Sequence, residues 1–254
     1  MSLVKTIAYT ALDTITGRRG VKRTVDGRTI KFPAKWSRYY AKVYDPETFL
    51  FLETHVKKGD TVLDIGAHIG LFSVALSNLV GHGGRVFSFE PTPLTRNVLS
   101  EVIVINGCEG IVEVRGEAVS CSSGTAIFYD TGVDVSNANS LVKTDVGTSE
   151  LTVKMISVDD FVKERGLKIA CLKIDVEGAE LDLLRGALET FVTQRPVARL
   201  GLHPPFIAEN RQSLDDIWRV LSDYKLIVVF DGQPVEKEWF CSQTDLFDVN
   251  LLPF

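Results

Sequence analysis

The chain has 254 residues, is 45% hydrophobic and 24% charged, and carries a formal net charge of −5. That is enough chain to bury the core of one large α/β domain, or a domain with a small appendage, without disulfide or metal staples. No apolar run approaches the ~18 residues of a membrane span, and the scattered cysteines (Cys108, Cys121, Cys171, Cys241) exclude a paired zinc motif and point to a reduced, cytoplasmic protein.

The first segment is set apart by charge. Residues 1–43 hold ten Lys/Arg against Asp13 and Asp26, a balance of +8, which leaves −13 on the remainder. Leu3, Val4, Ile7, Ala8, Ala11, Leu12 and Ile15 share one helical face. They read as a docking helix, with a membrane-surface or dimer contact as the alternatives. Asp26-Gly27 between alternating apolar positions predicts a hairpin over 23–32. Trp36, Tyr39 and Tyr40 interleave with Lys35, Arg38 and Lys42, a pattern suited to holding a ligand, although an arm docked on the acidic body explains the charge equally well. Residues 1–44 are thus expected to form a basic extension and 45–254 the main domain.

Asp45-Pro46-Glu47 predicts a helix start, capped by aspartate with proline in the first turn. From there strands are expected at 61–64, 85–90, 111–118, 168–175, 197–203, 225–230 and 245–250. Helices are expected at about 70–80, 93–105, 158–165, 179–191 and 213–223. The rhythm breaks between 119 and 156, where β-like pieces at 125–129 and 151–156 flank a polar loop at 134–142. An antiparallel excursion with a loop over the site is expected there.

In a doubly wound sheet, ligands bind beyond the carboxyl ends of the strands, so the residues at each tip carry the functional information. The first tip is Asp64-Ile-Gly66-Ala67-His68-Ile-Gly70. Its spacing is not the Gly-x-Gly-x-x-Gly of a dinucleotide pyrophosphate site, and a carboxylate there suits a cationic, hydroxyl-bearing cofactor such as S-adenosylmethionine. The second strand ends in Glu90, 26 residues after Asp64, placed to accept hydrogen bonds from a ribose. The third ends near Glu117 and Ala118, where an adenine would lie. The fourth, Lys173-Ile-Asp175-Val-Glu177-Gly178-Ala-Glu180, sets charges on a strand expected to be central and buried, which costs free energy unless they are paired or used. Lys173 is expected to neutralise a neighbouring carboxylate, and Glu180 to open the next helix. The fifth strand ends His203-Pro204-Pro205-Phe206. A histidine there suits a general base, or a turn residue already satisfied by its neighbours. The Pro-Pro-Phe run is similar to an amino-group methyltransferase signature, but His203 precedes the prolines and the run follows the fifth strand, not the fourth. His68 reads as incidental to the glycine loop, and His55 and His82 as superficial.

Taken together, Val62-Leu-Asp64-Ile-Gly66-Ala-His-Ile-Gly70-Leu-Phe-Ser73, Gly84-Arg-Val-Phe-Ser-Phe-Glu90-Pro91 and Leu172-Lys-Ile-Asp175-Val-Glu177-Gly178-Ala-Glu180 resemble the FkbM family of S-adenosylmethionine-dependent methyltransferases over roughly residues 45–205. The resemblance implies a Rossmann-like fold: a mostly parallel seven-stranded sheet with helices on both faces and an antiparallel final strand. It implies O-methylation of a sugar, polyketide or related small molecule. It assigns the cofactor S-adenosylmethionine to Asp64, Gly66, Ala67 and Gly70, its ribose to Glu90, and the methyl-transfer pocket to Asp175 and Glu177. Gly201 departs from the family, where a glutamate is common. Asp175 or His203 is expected to take the acceptor proton, no metal is expected, and the 134–142 loop with the Trp36–Tyr40 arm is expected to close over the substrate. RNA, protein or lipid-headgroup acceptors, and a non-catalytic cofactor-binding module, remain the alternatives. The acidic body argues against nucleic acid, and a homodimer is left open.

Overall fold

A computed structural model describes residues 19–130 and 149–254; the docking helix at 3–15 and the polar loop at 134–142 lie outside the described residues. The hairpin is present as β1 (Val21–Val25) and β2 (Arg28–Phe32), joined by Asp26 and Gly27 at φ 46° and 82°. These left-handed values are what a two-residue hairpin turn requires and what an Asp-Gly pair supplies.

The main sheet draws on β3 (Thr61–Ile65), β4 (Arg85–Phe89) and β5 (Val112–Arg115). A side sheet uses β6 (Ala118–Val119), β7 (Gly124–Asp130) and β8 (Ser149–Ile156), after which β9 (Cys171–Ile174) and β10 (Val197–Leu202) return to the main one. It is completed by β11 (Leu226–Phe230), β12 (Gln233–Pro234) and β13 (Phe247–Pro253). The order is β12-β11-β13-β10-β9-β3-β4-β5, with β3, β4, β5, β9 and β10 parallel and β13 antiparallel to both its neighbours. The seven expected strands are therefore joined by an eighth, the two-residue β12 at the edge. Among the described residues no helix is long and apolar enough to cross a membrane.

The strands read as near-continuous apolar runs because both faces are covered. Leu63, Ile65, Phe87, Phe89, Leu172 and Ile174 face one buried cluster with Phe161 and Leu184. Val62, Val86, Val112 and Cys171 face the other, which also takes in Val25, Ile30, Phe32 and Tyr40 from the N-terminal segment.

Two expected elements are corrected. The strand predicted over 111–118 ends at Arg115, and Ala118–Val119 instead pairs in parallel with β8. Gly116 marks the break, pressed against the Arg96 guanidinium, which a β-carbon would meet at 3.0 Å. The helix predicted over 179–191 is two helices, Glu180–Arg185 and Leu188–Gln194. A β-carbon on Gly186 would come within 2.2 Å of the Ser120 carbonyl, so this close backbone contact interrupts the helix. The antiparallel excursion is present as β7 on β8.

Candidate active site

The strand tips converge because β4, β3, β9 and β10 run parallel and in register. Ser88, Asp64 and Lys173, each one residue before the end of its strand, continue into Arg199 and Asn250 as successive register partners across five strands. Side chains at matched register share a face, so this is a polar row beneath the site. Ser88 Oγ donates to Ser73 Oγ (2.9 Å), and Ser73 Oγ donates to Asp64 Oδ2 (2.6 Å). Lys173 Nζ donates to the Gly66 carbonyl and to Asp175 Oδ2, both at 3.2 Å. Arg199 is held by Thr48, Asn250 and Asp248 at 3.0–3.1 Å. Burial disfavours the Lys173 ammonium, yet Asp175 and Asp64 outweigh that and raise its pKa. Burial raises the pKa of Asp64, against the pull of Lys173 and Ser73.

Above this row lies an open cleft bordered by Gly66, His68, Glu90, Glu117, Asp175 and Glu177, with Ala118 and Phe128 at its apolar end. Among the sequence-predicted residues, Gly66, Glu90, Glu117, Ala118, Asp175 and Glu177 are thus brought together. Asp64, Ala67 and Gly70 do not line the cleft. Asp64 is sealed beneath the loop with Oδ1 lacking a hydrogen bond, and Ala67 N is tied to the Phe89 carbonyl at 3.0 Å. Gly70 starts the helix Leu71–Val80, facing Leu99. Gly66 needs to be glycine: at φ 77°, a β-carbon would sit 1.8 Å from the Asp175 carbonyl.

Glu90 accepts from Thr92 N at 2.9 Å through Oε1 and from His68 N at 3.1 Å through Oε2. The Thr92 side chain makes a third bond to the same carboxylate. Burial pushes its pKa up to about 7 against those bonds. Glu117 lines the cleft but is ion-paired to Arg115, which also pairs with Glu113 at 3.0 Å.

The turn after β9 places Glu177 at φ 48° and Gly178 at φ 94°, packing Gly178 under Phe206. This turn aims Glu177 inward and buries Glu180 completely. His203 caps the start of the short helix Pro204–Glu209, and its Nδ1 lies 2.6 Å from Glu180 Oε1. Its Nε2 is 3.5 Å from both Asp175 Oδ1 and Glu177 Oε2. Burial opposes the imidazolium, but the Glu180 hydrogen bond and the Glu177 and Asp175 charges prevail and raise its pKa to about 9. Burial lifts Glu177 to about 7, with His203 opposing and Asp175 and Glu180 reinforcing the shift. Enclosure disfavours the Asp175 charge as well, but Lys173 and then His203 hold its pKa below the ordinary value. Nearly half of the Asp175 side chain stays open, at 45%.

Three residues play parts that the sequence does not indicate: His68, expected to be incidental, Glu180, expected only to open a helix, and Asp248. His68 lines the cleft and shares a 3.1 Å hydrogen bond with Tyr40 Oη. Glu180 opens its helix as expected but points inward at His203. Asp248, from β13, fills the space left by Gly201, with Oδ1 3.0 Å from where a β-carbon would stand. A continuous apolar strand gives no sign that a distant aspartate will arrive there.

A sequence model described as the methyltransferase FkbM domain matches residues 64–226. The hexuronic acid methyltransferase AglP of Haloferax volcanii is 27% identical over 237 residues, covering 89% of this chain and 91% of that protein. The 31-O-demethyl-FK506 methyltransferase FkbM of Streptomyces tacrolimicus is 25% identical over 175 residues, covering 58% of this chain and 66% of its own length. The solved structure of a methyltransferase FkbM from Methylobacillus flagellatus KT matches with a TM-score of 0.50 at 16% identity, over 80% of this chain and 50% of that one. At that identity the structural likeness speaks for the fold.

Proposed function

Because the chain belongs to the FkbM methyltransferase family, whose methyl donor is S-adenosylmethionine, we propose that it methylates a hydroxyl of a sugar, polyketide or related small molecule at the strand-tip cleft. The observation that carries this reading is His203, held at Nδ1 by Glu180 with Nε2 turned toward Asp175 and Glu177. That is the arrangement of a general base with an orienting carboxylate.

The residues fit the donor. Glu90 presents its carboxyl to the cleft, where a ribose hydroxyl would meet it, and Phe128, Ala118 and Val119 offer an apolar end for an adenine. The acidic end at Asp175 and Glu177 suits a ligand bearing positive charge. When bound, the donor supplies an electrophilic methyl group on a sulfonium.

The chain's own part is positioning and proton removal. Lys173 fixes Asp175 from below, Glu180 sets the tautomer and aim of His203, and His203 Nε2 accepts the acceptor's hydroxyl proton. The hexuronic acid and FK506 substrates in the relatives' names support a hydroxyl-bearing acceptor.

The test is incubation with isotopically labelled S-adenosylmethionine and candidate glycosides and polyketides, followed by mass spectrometry of the product. Label on an oxygen, lost in His203→Gln, supports the reading; label on nitrogen, or undiminished turnover in that variant, contradicts it.

A further inference from the structure

Three donor groups converge at the acidic end of the cleft. His203 Nε2 lies 3.5 Å from Asp175 Oδ1 and 3.5 Å from Glu177 Oε2, and the three residues offer one donor atom each within 4.8 Å of one another. Ligand atoms about 2.1 Å from a tetrahedral zinc ion stand roughly 3.4 Å apart, so the two edges that meet at Nε2 have the separation of a coordination shell. They are longer than the ~2.7–3.2 Å of a nitrogen–oxygen hydrogen bond.

The imidazole is held as a ligand is held. His203 is only 5% exposed, and the sealed Glu180 carboxylate takes Nδ1 at 2.6 Å, which leaves Nε2 as the nitrogen aimed at Asp175 and Glu177. A carboxylate on the far ring nitrogen is the support that metal-binding histidines commonly have. Asp175 divides its oxygens between two tasks: Oδ2 accepts from Lys173 Nζ at 3.2 Å, and Oδ1 faces Nε2. Asp175 and Glu177 both border the cleft, so an ion can enter from there.

The surrounding charges favour a cation. Asp64, Asp175, Glu177 and Glu180 outnumber the Lys173 ammonium, and Arg199 is matched by Asp248. One imidazole with two carboxylates suits zinc and its transition-metal neighbours, whereas magnesium and calcium prefer oxygen-only sets. No cysteine spacing announces such a site, because its ligands come from the separate segments that follow β9 and β10.

We propose that Asp175, Glu177 and His203 form a binding site for a zinc-type divalent cation and, building on the methyl-transfer reading, that the bound ion inhibits the enzyme. The ion takes the Nε2 lone pair that accepts the hydroxyl proton. It also sets positive charge at the acidic end that suits the donor's own.

The test uses the full chain, freed of metal by a chelator and titrated calorimetrically with zinc chloride and, separately, magnesium chloride. One equivalent of zinc should bind at least about a hundredfold more tightly than magnesium, and His203→Gln and Glu177→Gln should each lose about tenfold or more in zinc affinity. Cys121→Ser, which removes the exposed thiol, should stay within about twofold of the parent. Added zinc should suppress methyl transfer at concentrations near its Kd, and a chelator should restore it. Absence of zinc binding, full affinity in either the His203 or the Glu177 variant, or loss of binding in Cys121→Ser would overturn the site. Turnover undiminished at saturating zinc would overturn the inhibition. Zinc binding without S-adenosylhomocysteine binding would instead bring down the methyl-transfer reading and the inhibition, and leave the cation site standing.

Discussion

Glu180 and His203 are joined by a 2.6 Å contact between Oε1 and Nδ1, and the Glu180 side chain is sealed from solvent. A buried carboxylate on one ring nitrogen fixes which nitrogen faces the substrate and raises the pKa of the ring. We expect Glu180→Gln to lower kcat by about 10²-fold and to move the acid limb of the kcat–pH profile to lower pH. The direction follows from losing the negative charge that holds the His203 proton. A pH-independent loss of activity would assign Glu180 a purely structural role.

With a His203 pKa of about 9 in the ligand-free site, roughly one ring in a hundred is neutral at pH 7. Turnover should therefore rise from neutral toward alkaline pH, with positive charge on a bound donor drawing the limb downward. A kcat profile that falls above pH 7 would contradict His203 as the base.

Stability should run the other way. Glu90 and Glu177 rise from 4.5 to about 7, and His203 from 6.5 to about 9, so at all three the folded state binds more protons than the unfolded chain. The carboxyl contributions are complete below pH 4.5 and lost as pH rises through 7; that of His203 is complete below 6.5 and lost through 9. The Tm of the ligand-free protein should fall between about pH 5 and 9, less steeply near neutrality in Glu90→Gln. A Tm that climbs over this interval would refute the assignment.

Lys173 is a buried ammonium set between Asp175 and Asp64, and removing one partner of a buried pair is costly. Lys173→Met should destabilise the fold by about 3 kcal/mol in urea titrations. A loss below about 1 kcal/mol would mean that the neighbouring carboxylates neutralise without it.

The two loop glycines should separate cleanly. Gly66→Ala drives a β-carbon into the Asp175 carbonyl, whereas Gly70→Ala meets only the movable tip of Leu99 at 2.7 Å. Denaturant unfolding should show about 3 kcal/mol or more for the first. The second should cost about 1–2 kcal/mol, the left-handed backbone penalty alone. Equal losses would contradict the close approach of the loop to β9.

Much of this architecture was legible because local rules and tertiary demands agree. The parallel strands read as apolar runs, Asp26-Gly27 marks its hairpin, and Asp45-Pro46 its helix, where Asp45 Oδ1 accepts from Thr48 N at 3.0 Å. Glu90, Asp175 and Glu177, which border the cleft, stand out in the sequence because charge at the end of an apolar strand is conspicuous. Gly116 and Gly186 were not read as breaks, since their reason is a distant neighbour, the Arg96 guanidinium and the Ser120 carbonyl. His68 and Tyr40 are 28 residues apart and meet only when the segment after the N-terminal hairpin packs on the first loop. Asp64 was expected to touch the cofactor, but its side chain belongs to the polar row under the sheet's upper edge.

The most direct measurement is calorimetric titration of S-adenosylhomocysteine into the parent, Glu90→Ala and Asp175→Asn proteins. If the strand-tip carboxylates hold the nucleoside and present the methyl group, the parent binds one equivalent, Glu90→Ala loses at least about tenfold in affinity, and Asp175→Asn still binds yet transfers no methyl. Undiminished binding by Glu90→Ala, or full turnover by Asp175→Asn, would contradict it.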